Sequence, residues 1–332
     1  MLLGLGGGAL FVVLLTRNPI GETAKAIAAA RYGLLAIIAL HFVQLVPETL
    51  AWAVLLPREH RRRSLYWISW VGESVGTLLP VATVGGDVLR ARMAAVRGVP
   101  GPLAASSVLV DVTLSVVVQV VYTCVGLVLL VMAVGRSHIV WPATVGTLLL
   151  LLGVAGFYFV QRYGVFRLIA AAVSRFAKGS SWQDLVRQGD EFDAETRKLY
   201  GQPWALLANG FFTFVCWLVT AAEVWVALRA VGIHAGFAEA CILESVSRAV
   251  RSGAFVVPGA LGLQEGGYLV VGRLLGIDPG TAMALALIRR VRELAFGVPG
   301  LVVWNVAEWR RLWRRGDGDS GSSAGSGAVS TP

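Results

Sequence analysis

The 332-residue chain is 56% hydrophobic and only 15% charged, with a mean hydropathy of +0.69. A soluble domain carries about 25% charged residues, so the composition excludes an ordinary soluble fold and points to lipid as solvent. The net charge of +9 does not imply nucleic acid, because the basic residues cluster between apolar runs and do not interleave with aromatics on one face.

A spanning helix needs about 20 predominantly apolar residues. Leu2–Leu15 is shorter and lacks a preceding basic region, so it reads as a short first span rather than a cleaved signal. The glycines from Gly4 to Gly8 lack the strand and acidic partner of a dinucleotide fingerprint. Gly33–Leu56 is a full span. Leu65–Arg97 is broken by Leu78-Leu79-Pro80 and Gly85-Gly86-Asp87. Pro102–Val134 and Ile139–Val160 are spans. Arg162–Gln202 is a charged loop whose stretch Phe166–Phe176 is amphipathic and expected on the membrane surface. Pro203–Leu228 spans again, whereas Ala238–Leu275 is broken at Pro258–Gly267. Gly280–Glu308 spans with charges inside it and a kink expected at Pro299. Residues 1–315 therefore form one membrane domain, and Gly316–Pro332 is a Gly/Ser-rich tail expected to be disordered.

The two broken stretches resemble each other. In each, a Glu-bearing helix (Glu73, Glu244) meets a Pro/Gly turn, and a short helix follows a Gly-Gly pair. A glycine–proline boundary then opens a long helix with an ionisable residue inside it, Asp111 eleven residues past Pro100 and Arg290 eleven past Pro279. Irregular backbone at membrane depth survives only when buried in protein or lining a wet cavity. The expected fold is therefore an all-α polytopic membrane protein: about six spanning helices plus two re-entrant helix pairs in an inverted repeat. On this topology one face collects 18 of the loop Lys+Arg and the other 6, so both termini are expected inside.

Ionisable residues in apolar segments cost about 3 kcal/mol each at a helix centre, which demands pairing or a hydrated cavity. Glu244, Arg248 and Arg251 share one helix face, as do Arg289, Arg292 and Glu293. Opposed, the two stripes would close a polar site beside Glu265. Glu48 and Glu223 lack sequence-near partners, and an internal salt bridge is their plainer reading. The candidate substrate-binding set is Glu73, Gly85, Gly86, Asp87, Asp111, Arg251, Glu265, Gly266, Gly267, Arg289 and Arg292. The scattered cysteines Cys124, Cys216 and Cys241 and the distant histidines carry no metal spacing, and no cofactor is expected. Trp204, Trp304, Trp309 and Trp313 read as an interfacial belt. Arg58 and Arg61-Arg62-Arg63 read as an orientation signal and a contact for anionic headgroups.

Glu73 with Leu78-Leu79-Pro80, Gly85-Gly86-Asp87-Val88-Leu89-Arg90, Gly98 and the Asp111 span resembles the first half of the lysylphosphatidylglycerol synthase transmembrane (flippase-like) family. The run from Pro258 to Gly267 is more specific and resembles its hopanoid-biosynthesis-associated members. The resemblance implies a lipid translocation unit in a bacterial inner membrane, with a membrane lipid as substrate and lipid-biosynthesis enzymes or a second copy of the chain as protein partners. Synthase activity does not carry over, since the soluble aminoacyl-transferase domain is absent from these residues and no catalytic motif accompanies the charges. A membrane-embedded lipid-modifying enzyme using Glu265, Glu73 or Asp111 as acid or base, and a scaffold docking through 162–202, are the alternatives. One position departs from the resemblance: many relatives place arginine after the acid of the Asp111 span, where this chain has Val112.

Overall fold

The computed structural model describes residues 31–60, 63–78, 82–134, 148, 180–253 and 263–322. The expected spans Leu2–Leu15 and Ile139–Val160 (Leu148 apart), the surface stretch Phe166–Phe176, and the turn residues 79–81 and 254–262 lie outside them. Among the described residues the fold is all-helical, with nine α-helices and no strand. They are α1 (Arg31–Ala53), α2 (Ser64–Leu78), α3 (Ala82–Val96), α4 (Gly101–Val134), α5 (Ser180–Tyr200), α6 (Pro203–Ala230), α7 (Phe237–Gly253), α8 (Leu263–Leu274) and α9 (Pro279–Ser322).

Among the described residues three helices are long and apolar enough to cross a membrane: Tyr32–Ala53, Gly101–Ala133 and Pro203–Ala230. At about 1.5 Å per residue α4 is ~50 Å long, more than the ~30 Å of hydrocarbon a bilayer offers. The expected span Gly280–Glu308 lies inside α9, which continues as helix through Pro299. Glu293 and Glu308 leave only 14 uncharged residues between them, too few to count as a plain apolar span. The same helix runs on to Ser322, past the Arg315 boundary drawn from composition, while 323–332 lie outside the described residues.

The side chains of α4 sort in the sense that lipid requires. Val117, Val121, Val125, Val128 and Met132 are exposed along one face, while Ser106, Ser107, Asp111, Gln119 and Thr123 are buried. A soluble helix does the reverse. Polar groups withdrawn from hydrocarbon must find partners inside, and here Thr123 bonds the Gln119 carbonyl at 2.8 Å and Asp111 accepts from Asn209 at 2.8 Å. Together with the three apolar helices, this sorting makes the chain a membrane protein.

Two helix hairpins carry the broken stretches. In the first, α2 and α3 fold back on each other so closely that a Cβ on Gly86 would collide with the Gly72 carbonyl oxygen; only hydrogen fits there. In the second, Gly267 of α8 lies against the Ser247 backbone of α7, where a Cβ would come within 3.3 Å of its Cα. Both hairpins end alike. Gly98 (φ +95°) and Gly276 (φ +74°) stop α3 and α8 with paired bonds, Val99 N–H to Ala94 O at 3.2 Å and Ile277 N–H to Gly272 O at 2.8 Å. This is the six-to-one closure of a left-handed glycine cap. Each cap is followed within three residues by proline and then a long helix, α4 or α9.

Around this, α1 and α6 run antiparallel, with Gly33 against Ala230 at one end and Asn209 Nδ2 donating to the Ala51 carbonyl at 2.8 Å at the other. The polar helix α5 docks on α4 through Thr196, whose hydroxyl reaches Ser106 at 3.1 Å.

Candidate functional site

A cavity of about 450 Å³ opens between α1, α2, α3, α4, α6, α7 and α9. Charged and amide side chains from both hairpins and from α1, α4 and α9 line it, against an apolar exterior. Its charges form two clusters.

The smaller cluster belongs to the first hairpin. Arg90 on α3 donates to Asp111 on α4 at 2.8 Å and to Asp87, one turn back, at 3.3 Å. Its guanidinium also lies over the Trp52 ring, 4.6 Å from the centroid. Asp111 thus finds in Arg90 the arginine that Val112 does not supply. The expected loop charge of 18 counts Arg90 together with Arg92 and Arg97, but Arg90 is only 6% exposed and is no loop cation. The helical period explains this: Arg90 lies at i+3 from Asp87 and faces inward, whereas Arg92 two residues on is exposed.

The larger cluster joins the second hairpin to α1, α2, α6 and α9. Glu244 on α7, wholly buried, accepts from Arg248 at 2.7 Å, from Tyr268 at 3.2 Å and from Arg289 on α9. Glu293 accepts from Arg251 at 3.1 Å and Arg290 at 2.8 Å. The stripes on α7 and α9 therefore do face each other: Arg251 is held by Glu293, and Glu244 by Arg248 and Arg289. Arg290 also bonds Glu265 at 2.9 Å. This mirrors the first half with reversed sign, an acid on the short helix and an arginine on the long one.

His41 on α1 ties the cluster across the molecule. Its Nδ1 faces Glu223 on α6 at 3.0 Å and its Nε2 faces Glu73 on α2 at 3.1 Å, while Arg292 on α9 bonds Glu223 at 2.9 Å and contacts the ring. A neutral imidazole can donate to only one of these carboxylates.

Of the residues singled out from sequence, Glu73, Asp87, Asp111, Arg251, Arg289 and Arg292 line the cavity together. Glu265, Gly266, Gly267, Gly85 and Gly86 do not. Glu265 is 1% exposed and lies in the first turn of α8, where the helix dipole favours an acid. Gly86 and Gly267 serve helix contact, whereas a Cβ at Gly266 would meet nothing within 4 Å. Residues that sequence reasoning did not place in the site are His41, Gln44, Gln119 and Arg90, and Glu48 and Glu223 belong to it as well. His41, Gln44 and Glu48 stand at i, i+3 and i+7, a helical stripe that local spacing alone reveals once α1 is known to face a polar interior. Among the described residues no group of three or more His, Cys, Asp or Glu is arranged to hold a metal ion.

No curated protein and no solved structure matches the chain. A family model does, over residues 1–299, covering both hairpins and nearly all the charged residues described above. The chain belongs to the family of lysylphosphatidylglycerol synthase TM regions, and its function is accordingly one connected with membrane lipids.

Proposed function

We propose that the chain is a lipid translocation unit that moves a polar-headed lipid, a hopanoid being the first candidate, between the leaflets of a bacterial inner membrane. The observation that carries this reading is the charged cavity of about 450 Å³ set between helices whose outward faces are apolar. A headgroup crossing hydrocarbon needs polar company at mid-depth, and acyl chains need none. On this reading the two hairpins are re-entrant halves of an inverted repeat, about six helices span, both termini are cytoplasmic, and 1–315 acts as one domain. The basic turn at Arg58 meets anionic headgroups. The chain moves lipid without altering it and needs no cofactor.

Arg251 is the cavity arginine whose loss the fold tolerates best. Its partner Glu293 keeps Arg290 at 2.8 Å, Arg289 at 3.7 Å and Arg292 at 3.8 Å, and the Arg251 side chain is 29% exposed. Purified protein reconstituted with acyl-labelled phosphatidylglycerol, phosphatidylethanolamine or a labelled hopanoid is expected to speed leaflet exchange over protein-free vesicles. Arg251→Gln is expected to lower that rate about tenfold or more, the equivalent of ~1.4 kcal/mol of headgroup binding, with folded yield unchanged. Exchange equal to that of empty vesicles for every lipid rejects translocation. Chemically changed lipid recovered from the vesicles would establish the enzymatic reading in its place.

A further inference from the structure

Among the described residues, every carboxylic acid in and around the cavity has a cationic partner except one. Across the site and its immediate neighbours stand eight carboxylic acids (Glu48, Glu73, Asp87, Asp111, Glu223, Glu244, Glu265 and Glu293) and six arginines (Arg90, Arg248, Arg251, Arg289, Arg290 and Arg292). Seven of the acids lie within ion-pair distance of an arginine or of His41. Glu48 has no such partner among the described residues. Its Oε2 accepts one hydrogen bond, from the Gln44 amide at 3.0 Å.

We propose that Glu48 is a proton-binding site, and that its loading and unloading couple lipid movement to a proton gradient. This rests on the translocation reading above. Eight acids against six arginines leave two negative charges in a membrane interior, where an uncompensated charge is costly. His41 can accept one proton between Glu73 and Glu223. Glu48, the acid without a counter-ion, takes the other.

Its surroundings on every packed helix bear this out. On α1, His41 lies two turns away on the same stripe. On α2, Glu73 repels a second negative charge. Across the cavity on α3 and α4, Arg90 is committed to Asp87 and Asp111. On α6, Cys216 offers only a thiol, already bonded by Gln44 at 3.0 Å, and Glu223 is held by Arg292. The arginines of α7 and α9 are committed to Glu244 and Glu293. Among the described residues no other cation is left over for Glu48.

Gln44 supplies the second, independent observation. It is 95% buried (5% exposed) and lines the cavity, yet its Oε1 has no hydrogen-bond partner. An amide beside a titrating carboxyl suits both of its states. Its N–H₂ donates to the carboxylate, and after rotation its oxygen accepts from the carboxylic acid. The step itself is simple: a proton from the aqueous phase on one side forms the Glu48 O–H bond, and that bond later breaks to water on the other side.

The experiment has two arms on the same purified full-length protein. Infrared spectroscopy in H₂O and D₂O reads the C=O stretch of a protonated carboxyl. Vesicles of phosphatidylethanolamine and phosphatidylglycerol with a trace of acyl-labelled phosphatidylethanolamine, with membrane potential clamped at zero, read leaflet distribution under an imposed proton or sodium gradient. The expected results are a deuterium-sensitive band that Glu48→Gln removes, and a leaflet ratio that shifts about tenfold per pH unit at one proton per lipid in the native chain but not in Glu48→Gln. If Glu48→Gln does not insert, Glu48→Asp replaces it and must shift the band. A band absent from the native protein, or unmoved by either substitution, overturns the proposal. So does a leaflet ratio that follows sodium or ignores both gradients. Failure of the lipid to exchange at all defeats the translocation reading alone, and the infrared arm then decides the proton site by itself.

Discussion

Arg292→Gln is expected to abolish most of the folded yield. Arg292 is 4% exposed and bonds Glu223 at 2.9 Å while touching His41. Removing one partner of a buried ion pair costs about 3–5 kcal/mol, because the other charge stays behind uncompensated. Total stabilities of only ~5–15 kcal/mol leave little margin for that. Among the described residues Glu223 would keep only the His41 ring, which it shares with Glu73. The double variant Arg292→Gln with Glu223→Gln removes both charges and should recover much of the lost yield. Monodisperse yield in detergent checks this. Equal yield from native protein and Arg292→Gln would show that the pair is not structural.

The first half should respond in the same way at Arg90. Arg90→Gln strands Asp111 and Asp87 at once and withdraws a guanidinium from the Trp52 face. The expected cost is again about 3–5 kcal/mol, seen as a lower unfolding temperature and loss of the α3–α4 contact. Asp111→Asn added to Arg90→Gln should restore part of it, since the new amide can still pair with Asn209, now 2.8 Å from Asp111. An exposed loop arginine, as the charge count had it, would give no shift on substitution.

Among the described residues, the three apolar helices and the two facing stripes were legible in the sequence because they obey short-range rules. Arg289, Arg292 and Glu293 share a face at i, i+3, i+4 whatever lies opposite. The Gly98 and Gly276 stops declare themselves by glycine followed by proline. The bonds through His41 did not, since its partners stand 32 to 251 positions away in the chain and nothing local marks a lone histidine on an apolar helix. Arg90 was misplaced for a related reason. A run containing Arg90, Arg92 and Arg97 matches a loop by composition, and only the packing of α3 on α2 and α4 turns the first of them inward. Glu265 stands out in the sequence by its motif, and the structure pairs it with Arg290 of α9, outside the residues that line the cavity.

The central claim is that the lipid head passes through the charged cavity and not along the outside of the helices. One helix offers both routes for comparison. On α4, Ser115 lines the cavity, and Val121 is 52% exposed on the apolar face. In a chain with Cys124, Cys216 and Cys241 replaced by alanine, Ser115→Cys and Val121→Cys are each alkylated with a bulky polar maleimide and assayed for leaflet exchange of labelled lipid. The account predicts that alkylation at 115 stops exchange and alkylation at 121 leaves it at the unmodified rate. Undiminished exchange with residue 115 fully alkylated would contradict it.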